Sequence, residues 1–120
     1  MLKFTTREAS GVLVLAFEAS DDAGTTWQST EREWLYKLVE SHPDPRFAID
    51  LSQVNYLASS EIGFLMTLKR RIDRRQGRSV FFGVGPYILD IFRTMNLTKI
   101  LVIADDLPAA VTKLAEPPAT

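Results

Sequence analysis

Four apolar runs decide most of what this chain can become. Val12 to Phe17, Phe47 to Leu51 and Val80 to Val84 are nearly unbroken, and Ile100 to Ile103 is a shorter fourth. Strands buried on both faces read this way, because neither face alternates with polar residues. Between the runs the apolar spacing turns helical. Trp27, Trp34, Leu35, Leu38 and Val39 fall on one stripe of a helix from about Thr26 to Ser41, with Thr30 and Glu33 spaced as a capping box. His42-Pro43-Asp44-Pro45 stops it, since a proline disfavours helix at the residue before it. Ile62, Leu65, Leu68 and Ile72 share one face of a second helix. Ser59 or Ser60 caps it, and it runs to about Gln76 with Gly77 as a left-handed terminator. Pro86 suits the first turn of a third helix through Met95, with Ile88, Ile91, Phe92 and Met95 inward. Asp106 or Leu107-Pro108 opens a last helix to about Ala115.

Leu2 to Arg7 supplies an edge strand, joined to the next by the short turn Ser10-Gly11, so these two pair as an antiparallel hairpin. The order is β-β-α-β-α-β-α-β-α. Strands that alternate with helices pair in parallel through right-handed crossovers. The expected fold is therefore α/β: a small mixed sheet, antiparallel at its N-terminal hairpin and mostly parallel beyond, covered by about four helices.

At 120 residues the chain is the size of one domain, expected over 1–115. Residues 116–120 read as a flexible tail, because Pro117 and Pro118 block both helix and ladder. No apolar run approaches the roughly 20 residues of a membrane span, and the N-terminus lacks the apolar core of a signal peptide. The chain has no cysteine and one histidine, His42. Thiol catalysis, disulfides and Cys-ligated metals are excluded, no metal site or cofactor is expected, and a reducing cytoplasm fits. Net charge is −1, so global charge names no partner.

The stretch Asp50-Leu51-Ser52-Gln53-Val54, followed by Ala58-Ser59-Ser60-Glu61-Ile62-Gly63, resembles the STAS domain family of bacterial anti-sigma factor antagonists. That family carries an "apolar-Asp-Leu-Ser-x-Val" strand and then Asp-Ser-Ser-Gly-Leu-Gly at a helix start. The likeness extends from about Phe47 to Leu114, and over the first 46 residues by topology alone. Ala58 replaces the usual Asp, and Glu61 the usual Gly. The resemblance implies a protein–protein interaction module in transcription signalling, not an enzyme. Its implied partner is an anti-sigma factor that is also a serine kinase, and Ser60 is the implied phosphorylation candidate. The partner face would be formed by Asp21 and Asp22, in the loop after the first long strand, with Ala58, Ser59, Ser60, Glu61 and Phe64. The alternative is a STAS scaffold subunit without phosphorylation, in a larger signalling or membrane-transport complex. The oligomeric state is not legible.

A serine at a helix start sits where free N–H groups and the dipole favour negative charge. A phosphate there adds about −1.5 to −2 charges to a neutral surface without refolding it. Phe64 lies off the apolar stripe, either as a partner contact or covered by a neighbouring helix. The run Lys69 to Arg78 holds six of the fourteen basic residues. It reads as a solvated helix end complementing the dipole, and no nucleic acid is expected. Gly83-Val84-Gly85 falls short of a dinucleotide fingerprint, because Ile88 occupies the third glycine position. His42, without a Gly-x-Ser-x-Gly elbow to serve, reads as a solvated residue at a helix end, and no catalytic residue is expected.

Overall fold

The structure, a computed structural model, describes residues 2–19 and 29–115. Asp21, Asp22, Trp27 and the expected tail lie outside the described residues. Five strands form one sheet in chain order: β1 (Leu2–Ala9), β2 (Val12–Ala19), β3 (Arg46–Gln53), β4 (Arg78–Phe82) and β5 (Ile103–Ala104). β1 pairs antiparallel with β2, and β2 to β5 pair in parallel. The hairpin turns at Ser10 (φ 53°) and Gly11 (φ 84°). Two consecutive positive φ angles match the right-handed twist of the strands.

The helices among the described residues are α1 (Ser29–Ser41), α2 (Ser59–Arg74), α3 (Pro86–Thr94) and α4 (Leu107–Ala115), with a 3₁₀ turn at Leu97–Lys99. The expected mixed α/β architecture and its element order are what the structure shows. The strand order never reverses from β2 to β5, so successive right-handed crossovers put their helices on the same side. Leu35 and Val39 of α1, Leu65 and Leu68 of α2 and Phe92 of α3 pack there against Leu15, Ile49 and Phe81 of the sheet. Among the described residues α4 alone covers the other face, where Ala110 and Leu114 meet Val14, Ala48 and Val80. This two-sided burial is why the central strands are apolar at consecutive positions.

Several local expectations change. Trp34 is exposed, its ring 5.5 Å from that of Phe4 on the edge strand, and the buried stripe of α1 is centred on Leu35, Tyr36 and Val39. Thr30 lies within α1 and not at its cap. β4 ends at Phe82, before Val84. Met95 is exposed, because it follows the last residue of α3. The fourth run yields only Ile103–Ala104 as strand. Ile100 and Val102 face outward, while Leu101 turns into the core. His42 is half-buried, its ring 5.8 Å from that of Phe47 and its Nδ1 3.2 Å from the amide nitrogen of Asp44.

The left-handed residue that ends α2 is Gln76 (φ 59°), not Gly77. Gly77 is needed for a different reason. A Cβ there would stand 2.5 Å from the carbonyl oxygen of Pro45 and 2.8 Å from that of Ile72. The same Pro45 oxygen accepts the N–H of Arg78 at 2.8 Å, so the entry to β4 is pressed against the entry to β3.

Candidate functional site

The candidate serines stand at the C-terminal end of β3, where the chain crosses from the sheet into α2. Asp50 begins the crossing. Its Oδ1 accepts the N–H of Ser52 at 2.8 Å and closes a local turn. Gly83, leaving the neighbouring strand, has φ 70°, and a Cβ on it would lie 2.9 Å from Ser52 Cβ and 3.2 Å from Asp50 Oδ1. Only a glycine lets the two strand exits lie this close. Gly83 is thus a packing glycine for the crossing.

The link that follows is pinned by two apolar pegs. Val54 and Leu57 are buried, and Val54 N–H donates to Leu51 O at 3.0 Å. Asn55 and Tyr56 between them are exposed. Held at both pegs, the link delivers the chain to α2 in a fixed direction.

Neither serine caps the helix. The cap is Ala58, extended at φ −76° and ψ 161°, and its carbonyl accepts the N–H groups of Glu61 and Ile62 at 3.0 Å each. Alanine offers no side-chain acceptor, so only one half of a capping box exists: Glu61 Oε1 accepts the Ala58 N–H at 2.8 Å. Ser59 and Ser60 occupy the first two helical positions and are exposed, while Ala58 and Glu61 are half-buried. N–H groups in a first turn have no partner four residues back, and the dipole adds positive potential there.

Gly63 extends the serine surface. It lies three and four residues beyond Ser60 and Ser59, on their helix face. It is exposed, and a Cβ there would meet nothing within 4 Å. Ser59, Ser60 and Gly63 therefore form a strip without bulky side chains, open to close approach by another backbone. The i, i+3 and i, i+4 spacing in the sequence carries this signal.

Phe64 is not part of that surface. Its ring lies 5.5 Å from Tyr36 and 6.2 Å from Phe17, so covering by a neighbouring helix is what the structure shows. Arg32 lies over the Phe64 ring at 5.9 Å, and Arg71 over that of Tyr36 at 4.1 Å. Burial pushes the Tyr36 hydroxyl above its ordinary range, against the opposing pull of Arg71. These contacts tie α1 to α2 behind the serines. Asp21 and Asp22 lie outside the described residues.

The basic run is largely engaged within the domain. Lys69 pairs with Asp73 and Arg71 with Glu40. Arg75 donates to the carbonyls of Val39 and His42, and Arg78 to those of Lys113 and Leu114. Among the described residues no group of His, Asp or Glu side chains is placed to hold a metal ion. No described helix is long and apolar enough to cross a membrane.

A family model described as "Mlab, STAS domain" matches residues 29–103, more than half of the chain. A comparison with curated proteins finds no match. Solved structures show the same fold. An anti-sigma factor antagonist from Mycobacterium paratuberculosis aligns with a TM-score of 0.77 at 21% identity, over 97% of this chain and 96% of that one. A chain from a structure of the stressosome, described as a signal integration and transduction hub, aligns at 0.75 and 19% identity, over 92% and 95%. The Bacillus cell fate determinant SpoIIAA in its phosphorylated form aligns at 0.67 and 13% identity, over 92% and 98%.

Proposed function

This chain belongs to the STAS domain family, and from that premise we propose that it is a non-enzymatic, cytoplasmic protein–protein interaction module of the anti-sigma factor antagonist type. It binds an anti-sigma factor that is also a serine kinase, and phosphorylation of Ser60 ends the interaction. The observation that carries this reading is the placement of Ser60: exposed, in the first turn of α2, beside the side-chain-free surface of Gly63. A phosphate on Ser60 gains the helix dipole and first-turn N–H groups, so the domain accepts it without rearrangement. A partner seated on the strip meets about −1.5 to −2 new charges and a bulk that was not there. The likeness to a phosphorylated SpoIIAA structure supports a fold able to carry this state.

The experiment is incubation with an anti-sigma serine kinase and ATP. Phosphate should enter the wild type and not Ser60→Ala, and the phosphorylated form should leave the kinase. Label retained by Ser60→Ala overturns the site, and no binding by either form overturns the function.

A second reading is a constitutive scaffold subunit in a larger signalling or membrane-transport complex. Glu61 favours it, because its carboxylate already supplies a negative charge in the first turn of α2. Under this reading Ser60→Asp binds its partner as well as the wild type does.

A further inference from the structure

The near-zero net charge of this chain conceals a separation of charge along the strands. β2 to β5 all point the same way and the crossover helices run back against them. One end of the domain therefore collects strand C-termini and helix N-termini, and the other end the reverse. Glu18, Asp50, Glu61, Asp105 and Asp106 fall at the first end. Two cations fall at the same end: Arg32, lying over the Phe64 ring, and Lys3, whose place in β1 is opposite Glu18. Arg74, Arg75, Arg78, Arg93 and Lys99 fall at the second. Asp44, Glu40 and Asp73 toward that end are paired with Arg46, Arg71 and Lys69, and Arg93 itself pairs with Asp90, while Glu8 of β1 falls there beside Arg7. Helix dipoles explain part of this sorting, since acids are favoured at helix N-termini and bases at C-termini. They do not explain Glu18 and Asp50, which lie within strands.

Each end also exposes large apolar side chains. Tyr56 is 59% and Tyr87 57% exposed at the acidic end, at the exits of adjacent strands β3 and β4. Met95 is 50% and Ile100 56% exposed at the basic end, where α3 returns toward β5. Aromatic anchors at one surface and aliphatic side chains at the other, each beside charge of opposite sign, are complementary in both respects. A net charge of −1 leaves little overall repulsion between copies.

We propose that the acidic end binds the basic end of a second copy of this chain, head to tail. Such a contact is heterologous: it leaves one free end on each partner and so builds short open chains instead of a closed dimer. It goes beyond the kinase-binding reading and does not depend on it, although a copy seated at the acidic end would also cover Ser60.

Sedimentation velocity of the purified chain tests this. The weight-average coefficient should climb continuously from about 10 μM to 1 mM protein at low salt, as a small interface predicts. It should return to the monomer value near 0.5 M salt, where the Debye length is only about 4 Å. Two exposed-residue variants each block one end: Tyr87→Ser with Asp105→Lys, and Lys99→Glu with Ile100→Ser. Each alone should be monomeric, with circular dichroism confirming the fold. Mixed in equal amounts, they should form a one-to-one heterodimer and nothing larger, because each keeps the end the other has lost. A wild type that stays monomeric throughout, a salt-insensitive closed dimer, or blocked variants that associate as the wild type does would each overturn the proposal.

Discussion

The Glu61 carboxylate accepts the backbone N–H of Ala58 at 2.8 Å, three residues before it. Usually this bond is one half of a reciprocal pair, with a serine or threonine at the cap returning the favour to the third residue. Here the cap is alanine, and the Glu61 N–H reaches only the Ala58 carbonyl. The entry to α2 is thus held by one side chain where two could act. Ala58→Ser should supply the missing acceptor and stabilise the domain by about 1 kcal/mol. Thermal unfolding reads this as a rise of about 4 °C. Glu61→Ala should lower the midpoint by a similar amount, and a midpoint unmoved by both changes removes the half-box from any role in stability.

Two glycines on either end of α2 predict opposite outcomes for one substitution. Gly63 is helical and exposed, with open space where a Cβ would be. Gly63→Ala should stabilise by about 0.5–1 kcal/mol, the usual gain from removing a glycine inside a helix. Gly77→Ala must displace the Pro45 and Ile72 carbonyls, and should cost about 1–3 kcal/mol, as other overpacked sites do. Urea unfolding of the two variants checks the pair, and equal effects refute the distinction.

Gly63 also separates stability from recognition. Under the proposed function, Gly63→Arg fills the strip beside Ser60 with a long side chain. It should leave the unfolding midpoint within about 0.5 kcal/mol of wild type, as surface changes do, and it should abolish capture by the kinase. Pull-down with purified kinase tests this. A variant that folds and binds normally shows that the partner does not approach over Gly63.

The same residues show why part of this molecule is legible in its sequence and part is not. The sheet is legible because Val12 to Phe17 and Phe47 to Leu51 have no polar face, which leaves burial on both sides as the only outcome. The hairpin is legible because Ser10-Gly11 can take the positive φ angles that its turn demands. The cap of α2 misleads because Ser59 and Ser60 are better capping residues than Ala58. The buried pegs Val54 and Leu57 fix where the helix begins, and tertiary packing overrides capping preference. Gly77 misleads in the same way: its need is a close approach to Pro45, 32 residues earlier and outside any local window, while Gln76 takes the left-handed turn. Ile100 and Val102 look like core because the run around them is apolar. β5 is an edge strand of two residues, too short to bury them.

The pH dependence of stability should carry a contribution from Asp44. Arg46 holds its carboxylate at both oxygens, Nε at 2.9 Å from Oδ1 and a terminal nitrogen at 2.8 Å from Oδ2. The Arg46 side-chain hydrogen bond is the main cause that brings the Asp44 carboxyl below its usual range. A carboxyl whose folded value lies below its unfolded value binds protons more readily when unfolded. Its stabilisation is therefore complete above the ordinary aspartate value of about 3.9, and is lost as pH falls through the folded value. Water screens both partners, since their side chains are about a third exposed, so the effect is small. Asp44→Asn should be less stable than wild type at pH 7, and the gap should narrow once the pH drops below about 4. Urea titrations of both proteins from neutral to acid pH measure that gap directly. Asparagine keeps an Oδ1 that can accept the Arg46 N–H, so a gap that stays constant to the lowest pH would show that the ion pair is not the source of the loss.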